Sequence, residues 1–239
     1  GSTQTQEKEI LGANNKQELG DLYRALVALN IASAKRKGAI FKDESTCYVE
    51  GPLKVGQDVK IGNNVTIKGK VILGNNVSIG SNTVLSNTKI GDETLIKEFC
   101  SIENSTIAKN AEVGPFARLR DGAILLNKTK IGNFVEIKKT TIGAGTKANH
   151  HAYLVDAVVG KKANVGAGTI TCNYDGKDKH KTVIEDESFI GTNSSLVAPI
   201  KIGKRSYVAA GSVITSDVPS DSLAFGRSRQ KTKKHRKKK

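Results

Sequence analysis

The chain has 239 residues, enough for one sizeable core with an appendage, and a formal charge of +15. Its three cysteines, Cys47, Cys100 and Cys172, are odd in number, far apart and in no paired motif, which argues against a disulfide framework or a zinc knuckle. No apolar run approaches the length of a membrane span and nothing at the front resembles a signal peptide, so the expected location is the cytoplasm, away from membranes.

The opening Gly-Ser, in a chain without any methionine, reads as a cloning remnant ahead of an excised segment. Lys16 to Gly38, KQELGDLYRALVALNIASAKRKG, combines helix formers with an apolar stripe at Leu19, Leu22, Ala25, Leu26 and Leu29 and a basic end closed by glycine. It is expected to be one amphipathic helix that needs a partner surface to be stable.

From Val55 a six-residue phrase takes over: VGQDVK, IGNNVT, IKGKVI, LGNNVS, IGSNTV. Val55, Ile61, Ile67, Leu73, Ile79 and Leu85 fall six apart; steps of five lead through Ile90, Ile96, Ile102 and Ile107 to Val113, and the frame returns from Ile184 to Ile214. A period of six is neither the alternation of a hairpin nor the 3.6 of a helix. It fits a solenoid of short parallel strands and tight corners, with one aliphatic side chain per face pointing inward and Gly or Asn at the bends. Three faces make a coil of about eighteen residues, so the span allows roughly nine coils. Chirality rules alone would favour right-handed crossovers.

Three stretches depart from the period: Gly114 to Ala123 (GPFARLRDGA), Asn133 to Asp156 (NFVEIKKT through ANHHAYLVD), and Asn164 to Lys181 (NVGAGTITCNYDGKDKHK). In a solenoid such departures are expected to be insertions gathered on one surface. They collect Arg118, Arg120, Lys138, Lys139, His150, His151, Tyr153 and Lys179, a basic cleft with a potential base in it. The chain closes on RQKTKKHRKKK, Arg229 to Lys239, whose eight Lys and Arg supply about half of the charge excess. That run reads as a solvated tail, with polyanion binding as the alternative. With aromatics at 5% and no recognisable nucleic-acid motif, nucleic acid is not the expected partner.

The strings GPFARLR, IGNFVEIKK, GAGTITCNYDG and LVAP, in this order on a hexapeptide solenoid, resemble the C-terminal acetyltransferase domain of the bifunctional bacterial enzyme that joins glucosamine-1-phosphate N-acetyltransferase to N-acetylglucosamine-1-phosphate uridyltransferase. The similarity runs from about Ile10 to about Arg227. It implies an all-β fold, a left-handed parallel β-helix of hexapeptide repeats with an N-terminal helical arm. The implied layout is residues 1–45 for the remnant and arm, where ILGANNKQEL is similar to the end of the uridyltransferase domain, 46–226 for the acetyltransferase β-helix and 227–239 for the tail. The implied reaction is acetyl transfer from acetyl-CoA to the amine of glucosamine 1-phosphate, a step toward UDP-N-acetylglucosamine for peptidoglycan, the cell wall and lipopolysaccharide. The glycine-rich loop and metal-binding aspartate of the uridyltransferase are not in this sequence, so that activity is not expected of it.

Such a transfer needs a base near neutral pKa beside the attacking nitrogen. By resemblance that base is His150, with Glu136 expected to orient it, while His151 stands where relatives carry another residue. The sugar's phosphate calls for fixed cations, for which Arg120 and Lys138 are suited. The family implies further sugar contacts from Tyr153, Asn164 and a neighbouring chain's Lys179, and acetyl-CoA contacts from Ala167, Asn173, Tyr174, Thr192, Ala210 and Arg227. A convex prism has no deep pocket of its own, and related acetyltransferases are homotrimers with sites between chains, so a trimer is expected. No metal is expected: a γ-carbonic-anhydrase-like zinc site would need three converging histidines, whereas His150 and His151 should diverge, His180 lies in a loop and His235 in the tail. Another sugar or amine acetyltransferase on the same scaffold and a polyanion-binding module are the competing functions.

Overall fold

The computed structural model describes residues 13–233. The opening residues 1–12 and tail residues 234–239, His235 among them, lie outside the described residues. One side chain at every fifth or sixth position turns inward, and these side chains stack into a single core running from Ile61 to Ile214. Each fully buried isoleucine or leucine contributes about 1.5–3 kcal/mol of apolar burial, so the repeat is also the main source of stability. The frame does not lapse in the middle. Leu119, Leu125, Ile131, Ile137, Ile142, Ala148, Leu154, Val159, Val165 and Thr171 are all buried at steps of six or five. The first two expected insertions are therefore ordinary coils, as is the start of the third; small Ala148 and polar Thr171 at inner positions disguise the frame in the second and third. Among the described residues after the helix, Asn173 to Lys181 is the stretch that leaves the solenoid.

All pairings between the named strands are parallel. A given coil lies seventeen or eighteen residues above the last along most of the solenoid, as in Ile61 paired with Ile79 and Ile131 with Ala148. One face carries a nine-stranded sheet, in agreement with the coil number expected from the repeat. The other two faces merge into a nineteen-stranded sheet because two long strands, Lys130–Lys138 and Lys147–Val155, run round the corner between them. Inner threonines bond carbonyls of the next turn: Thr140 Oγ1 donates to Leu154 O at 3.2 Å and Thr146 Oγ1 to Gly160 O at 2.6 Å. That is how a polar residue replaces an aliphatic one inside.

The corner between those two faces is formed by Asn64, Asn82, Phe99, Phe116, Phe134 and His151 in succession, each with φ between 39 and 59°. Asparagine tolerates the left-handed region; phenylalanine adopts it at a cost. Here the rings stack, Phe99 on Phe116 at 4.9 Å and Phe116 on Phe134 at 5.3 Å between centroids, which offsets part of that cost.

The helix spans Lys16–Arg36, as its pattern predicts. Asn15 caps it, its side chain accepting from Glu18 N while Glu18 reaches back to Asn14 N at 2.7 Å. The face it buries is not the predicted stripe. Val27, Ile31 and Ala34 are buried against the first coil, while Leu19 and Leu26 remain 57% and 44% exposed. The reason is that the helix lies against the strands Ala39–Phe41, Tyr48–Val49 and Leu53–Val55 with the face that carries Tyr23, Val27, Ile31 and Ala34. Among the described residues no helix is long and apolar enough to cross a membrane.

Candidate active site

Parallel register settles which side chains share a neighbourhood. Arg118–Arg120 pairs with the latter half of Lys130–Lys138, setting Arg118 beside Glu136 and Arg120 beside Lys138. The next strand sets Tyr153 beside Glu136 and His150 beside Asn133. Arg120, Glu136, Lys138 and Tyr153 thus share one face, and His150 sits at its edge, just before the His151 corner. From Asn133 to Lys138 is five residues, at most about 17 Å of strand.

The two cations are held by two carboxylates. Arg120 donates through Nε to Glu136 Oε1 at 2.7 Å and through Nη1 to Asp121 Oδ2 at 3.1 Å, and Lys138 Nζ lies 3.3 Å from the same Asp121 oxygen. Hydrogen bonding from Lys138, with Arg120 close by, holds the Asp121 carboxyl below its usual range. Burial pulls the Arg120 guanidinium down, but Glu136 and Asp121 outweigh it and raise it. Two positive and two negative groups leave this quartet neutral within one chain.

Glu136 does not orient His150, contrary to expectation. It lies beyond the corner and is engaged by Arg120. The ring's partner is Asn133, whose Oδ1 is 2.9 Å from His150 Nδ1. His150 opens onto a groove of about 330 Å³ that it shares with Lys97, Glu112, Lys130, Asn133 and Asn149. Glu112 pairs there with Lys97 and, at 3.6 Å, with Lys130. Hydrogen bonding from Lys97 lowers its pKa against the opposing effect of burial. Neither Asn133 nor Asp121 was singled out from the sequence. A coil length of seventeen, read back from His150, would have found Asn133.

Above His150, pairing of Ala148 with Val165, Val165 with Ile190 and Ile190 with Val208 carries the same corner-edge position to Ala167, Thr192 and Ala210. Carbonyls of this column accept from backbone N–H groups of the next corner: Asn193 N donates to Ala167 O at 2.7 Å and Gly211 N to Thr192 O at 2.8 Å. Exposed Arg227 lies one rung on, with its Cδ beside Gly211. Three of the expected coenzyme contacts therefore form one ladder that starts at His150 and leads to a fourth.

Other expected residues are dispersed. Asn164 lies on the preceding face, paired with Lys147 and Phe189. Asn173 is almost wholly buried and its amide donates to Asp156 Oδ2 at 2.6 Å. Tyr174, largely exposed, turns its hydroxyl back to Gly176 O at 2.6 Å. Lys179 is on the loop that leaves the coil, bridged to Tyr174. Asp175 organises that loop, accepting from Lys177 N, Asp178 N and His180 Nε2 at 2.7–2.8 Å. Hydrogen bonds from Asp178, His180 and Lys177 hold its carboxyl far below the usual range. The described histidines do not converge: the ring of His150 is on Asn133, that of His180 on Asp175.

Two family models match parts of the chain, the EIF2B subunit epsilon LbH domain over residues 37–137 and the bacterial transferase hexapeptide (six repeats) over residues 181–216. Bifunctional protein GlmU of Acinetobacter baylyi is 49% identical over 222 residues, covering 93% of this chain and 49% of the relative. That of Thermotoga maritima is 49% identical over 225 residues, covering 94% and 50%. The chain spans about half the length of the curated relatives it matches. Among solved structures, a UDP-N-acetylglucosamine acyltransferase of Arabidopsis superposes with a TM-score of 0.53 at 18% identity, covering 79% of this chain and 70% of that one, a likeness of fold. By fold the protein is a left-handed β-helix of hexapeptide repeats, and by sequence it is homologous, over nearly its whole length, to one half of the GlmU proteins.

Proposed function

We propose that this β-helix transfers the acetyl group of acetyl-CoA to the amine of glucosamine 1-phosphate, with His150 as the general base. The observation that carries the reading is the ladder from His150 through Ala167, Thr192 and Ala210 to Arg227. Four rungs at about 4.8 Å span about 19 Å, which suits an extended coenzyme arm with its thioester at the histidine and its phosphates at the arginine. Small side chains let that arm approach the backbone. Asn173 and Tyr174 would meet the coenzyme through the start of the loop.

The sugar runs the other way, along the face from His150 to Arg120 and Lys138. Its amine lies at the base, its phosphate at the cations, and Tyr153 between. His150 Nε2 takes a proton from the amine as the nitrogen attacks the thioester carbon. The carbon–sulfur bond then breaks, the sulfur leaves as thiolate and takes that proton, and the products are N-acetylglucosamine 1-phosphate and free CoA. Glu136 acts by holding Arg120.

A neutral quartet has no net charge to offer a phosphate, so a further cation is called for. Lys179 from a neighbouring copy, on the loop that leaves the coil, supplies it in a homotrimer with sites between chains, and Asn164 joins the site from its own face. Residues 46–226 carry the reaction, with 1–45 as arm and 227–239 as tail, and the protein works in the cytoplasm in UDP-N-acetylglucosamine synthesis. The test is release of free thiol from acetyl-CoA with glucosamine 1-phosphate, with glucosamine as control. Turnover that depends on the phosphate supports the reading; no thiol release overturns it.

A further inference from the structure

The contact between His150 and Asn133 has a consequence for where the ring's proton sits. Asn133 Oδ1 lies 2.9 Å from His150 Nδ1. An amide oxygen only accepts, so the nitrogen facing it must donate, and Nε2 of the neutral ring is then bare. The opposite amide orientation would place N–H on Nδ1 and put the proton on Nε2, where the base needs a lone pair. It would also oppose the doubly protonated ring formed once the amine's proton arrives, since that ring has N–H groups on both sides and requires an acceptor at Nδ1.

We propose that Asn133 is the positioning residue of this site: its side-chain oxygen fixes the Nδ1–H form of His150 and aims Nε2 at the attacking amine. The inference rests on the acetyl-transfer reading for its chemical meaning, but the proton's position can be read without substrate. The fold brings the pair together through parallel pairing of Lys130–Lys138 with Lys147–Val155 in a seventeen-residue register. Both residues stand one position before a left-handed corner, Phe134 and His151, and the Phe99, Phe116 and Phe134 stack holds that corner from below.

Among the described residues no carboxylate hydrogen-bonds the ring. Glu136, on the paired strand, is bound to Arg120, and Glu112, in the shared groove, is paired with Lys97 and Lys130. The other charged groups of the paired strands are the cations Lys130, Lys138 and Lys147, and His151 follows on the same strand. The orienting group is therefore a neutral amide, unlike the carboxylate of a Ser-His-Asp triad, and it directs the ring without adding an anion beside it.

Nitrogen-15 NMR of the imidazoles, at a pH where the ring is neutral, tests this directly, the His150 signals being identified by their loss in His150→Ala. The expected result is a protonated Nδ1 and an unprotonated Nε2, with that preference lost in Asn133→Ala. In the acetyl-transfer assay Asn133→Ala should lower kcat about tenfold or more, with KM for acetyl-CoA unchanged. Asn133→Asp, nearly isosteric, places an anion on Nδ1, so the acid limb of its kcat/KM profile should move up by about one pH unit or more. It also keeps the test alive should the alanine variant not fold. A wild-type ring protonated on Nε2, a tautomer unchanged in Asn133→Ala, or an acid limb unmoved in Asn133→Asp would each overturn the inference. A ring that behaves as expected in a protein that transfers no acetyl group would instead overturn the acetyl-transfer reading and leave Asn133's role standing.

Discussion

Two histidines stand side by side at 150 and 151, and the backbone separates them. His150 ends a stretch of extended strand and hydrogen-bonds Asn133, whereas His151 occupies the corner at φ 39°. His150→Ala should therefore lower turnover by about two orders of magnitude or more, and His151→Ala much less. Steady-state kinetics with saturating acetyl-CoA decides between them, and equal losses would mean the base is misassigned. At the cations, Arg120→Ala or Lys138→Ala should raise KM for glucosamine 1-phosphate while leaving that for acetyl-CoA nearly intact. Asp121→Asn should act in the opposite direction. It removes an anion bound to both cations, so KM for the sugar phosphate should fall severalfold, on the order of one partly exposed ion pair. Arg120 and Lys138 stand out in the sequence by residue type. Their carboxylate partners do not: Asp121 and Glu136 meet Arg120 and Lys138 only through the register of neighbouring coils, which a linear reading passes over.

At the scale of elements, the loop Asn173 to Lys181 departs from the coil, and Asp175 ties it together. A carboxylate whose pKa is lowered by folding stabilises the folded loop above its ordinary value, 3.8, and loses that contribution as pH falls through the lower folded value. Mild acid down to about pH 4 should thus leave the loop ordered, while Asp175→Asn should loosen it at neutral pH. Hydrogen exchange at the Lys177 and Asp178 amides reports both. The approach to the His151 corner is tight in another way: a Cβ on Gly132 would lie 1.7 Å from Asn149 O, a backbone atom that cannot step aside. Gly132→Ala should cost about 3 kcal/mol or more and lower Tm by roughly 6 °C or more. Helix and repeat were legible because each has its own period. The buried face of the helix was not, since Val27, Ile31 and Ala34 face the coil for reasons of docking that the helix's own pattern does not contain.

For the whole molecule, the aliphatic frame announced a solenoid, and its apparent lapse hid only two small or polar inner residues, Ala148 and Thr171. Handedness did not follow from physics, since the preference for right-handed crossovers points the other way. Assembly has a direct test. Co-refolding His150→Ala with Lys179→Ala at equal concentration should leave about one site in four with both residues intact in a cyclic trimer, giving activity that neither variant has alone. Mixed trimers without recovered activity would place Lys179 in its own chain's site or outside any. The even spacing of the ladder above His150 sets the distance between base and arginine by counting coils. Deleting one whole coil between them would leave every corner and inner contact type in place yet bring Arg227 one rung, about 4.8 Å, closer to His150. Such a shortened protein should fold, hold the sugar phosphate as before, and favour truncated pantetheine thioesters over full acetyl-CoA, as expected if the solenoid measures a coenzyme in units of its own repeat.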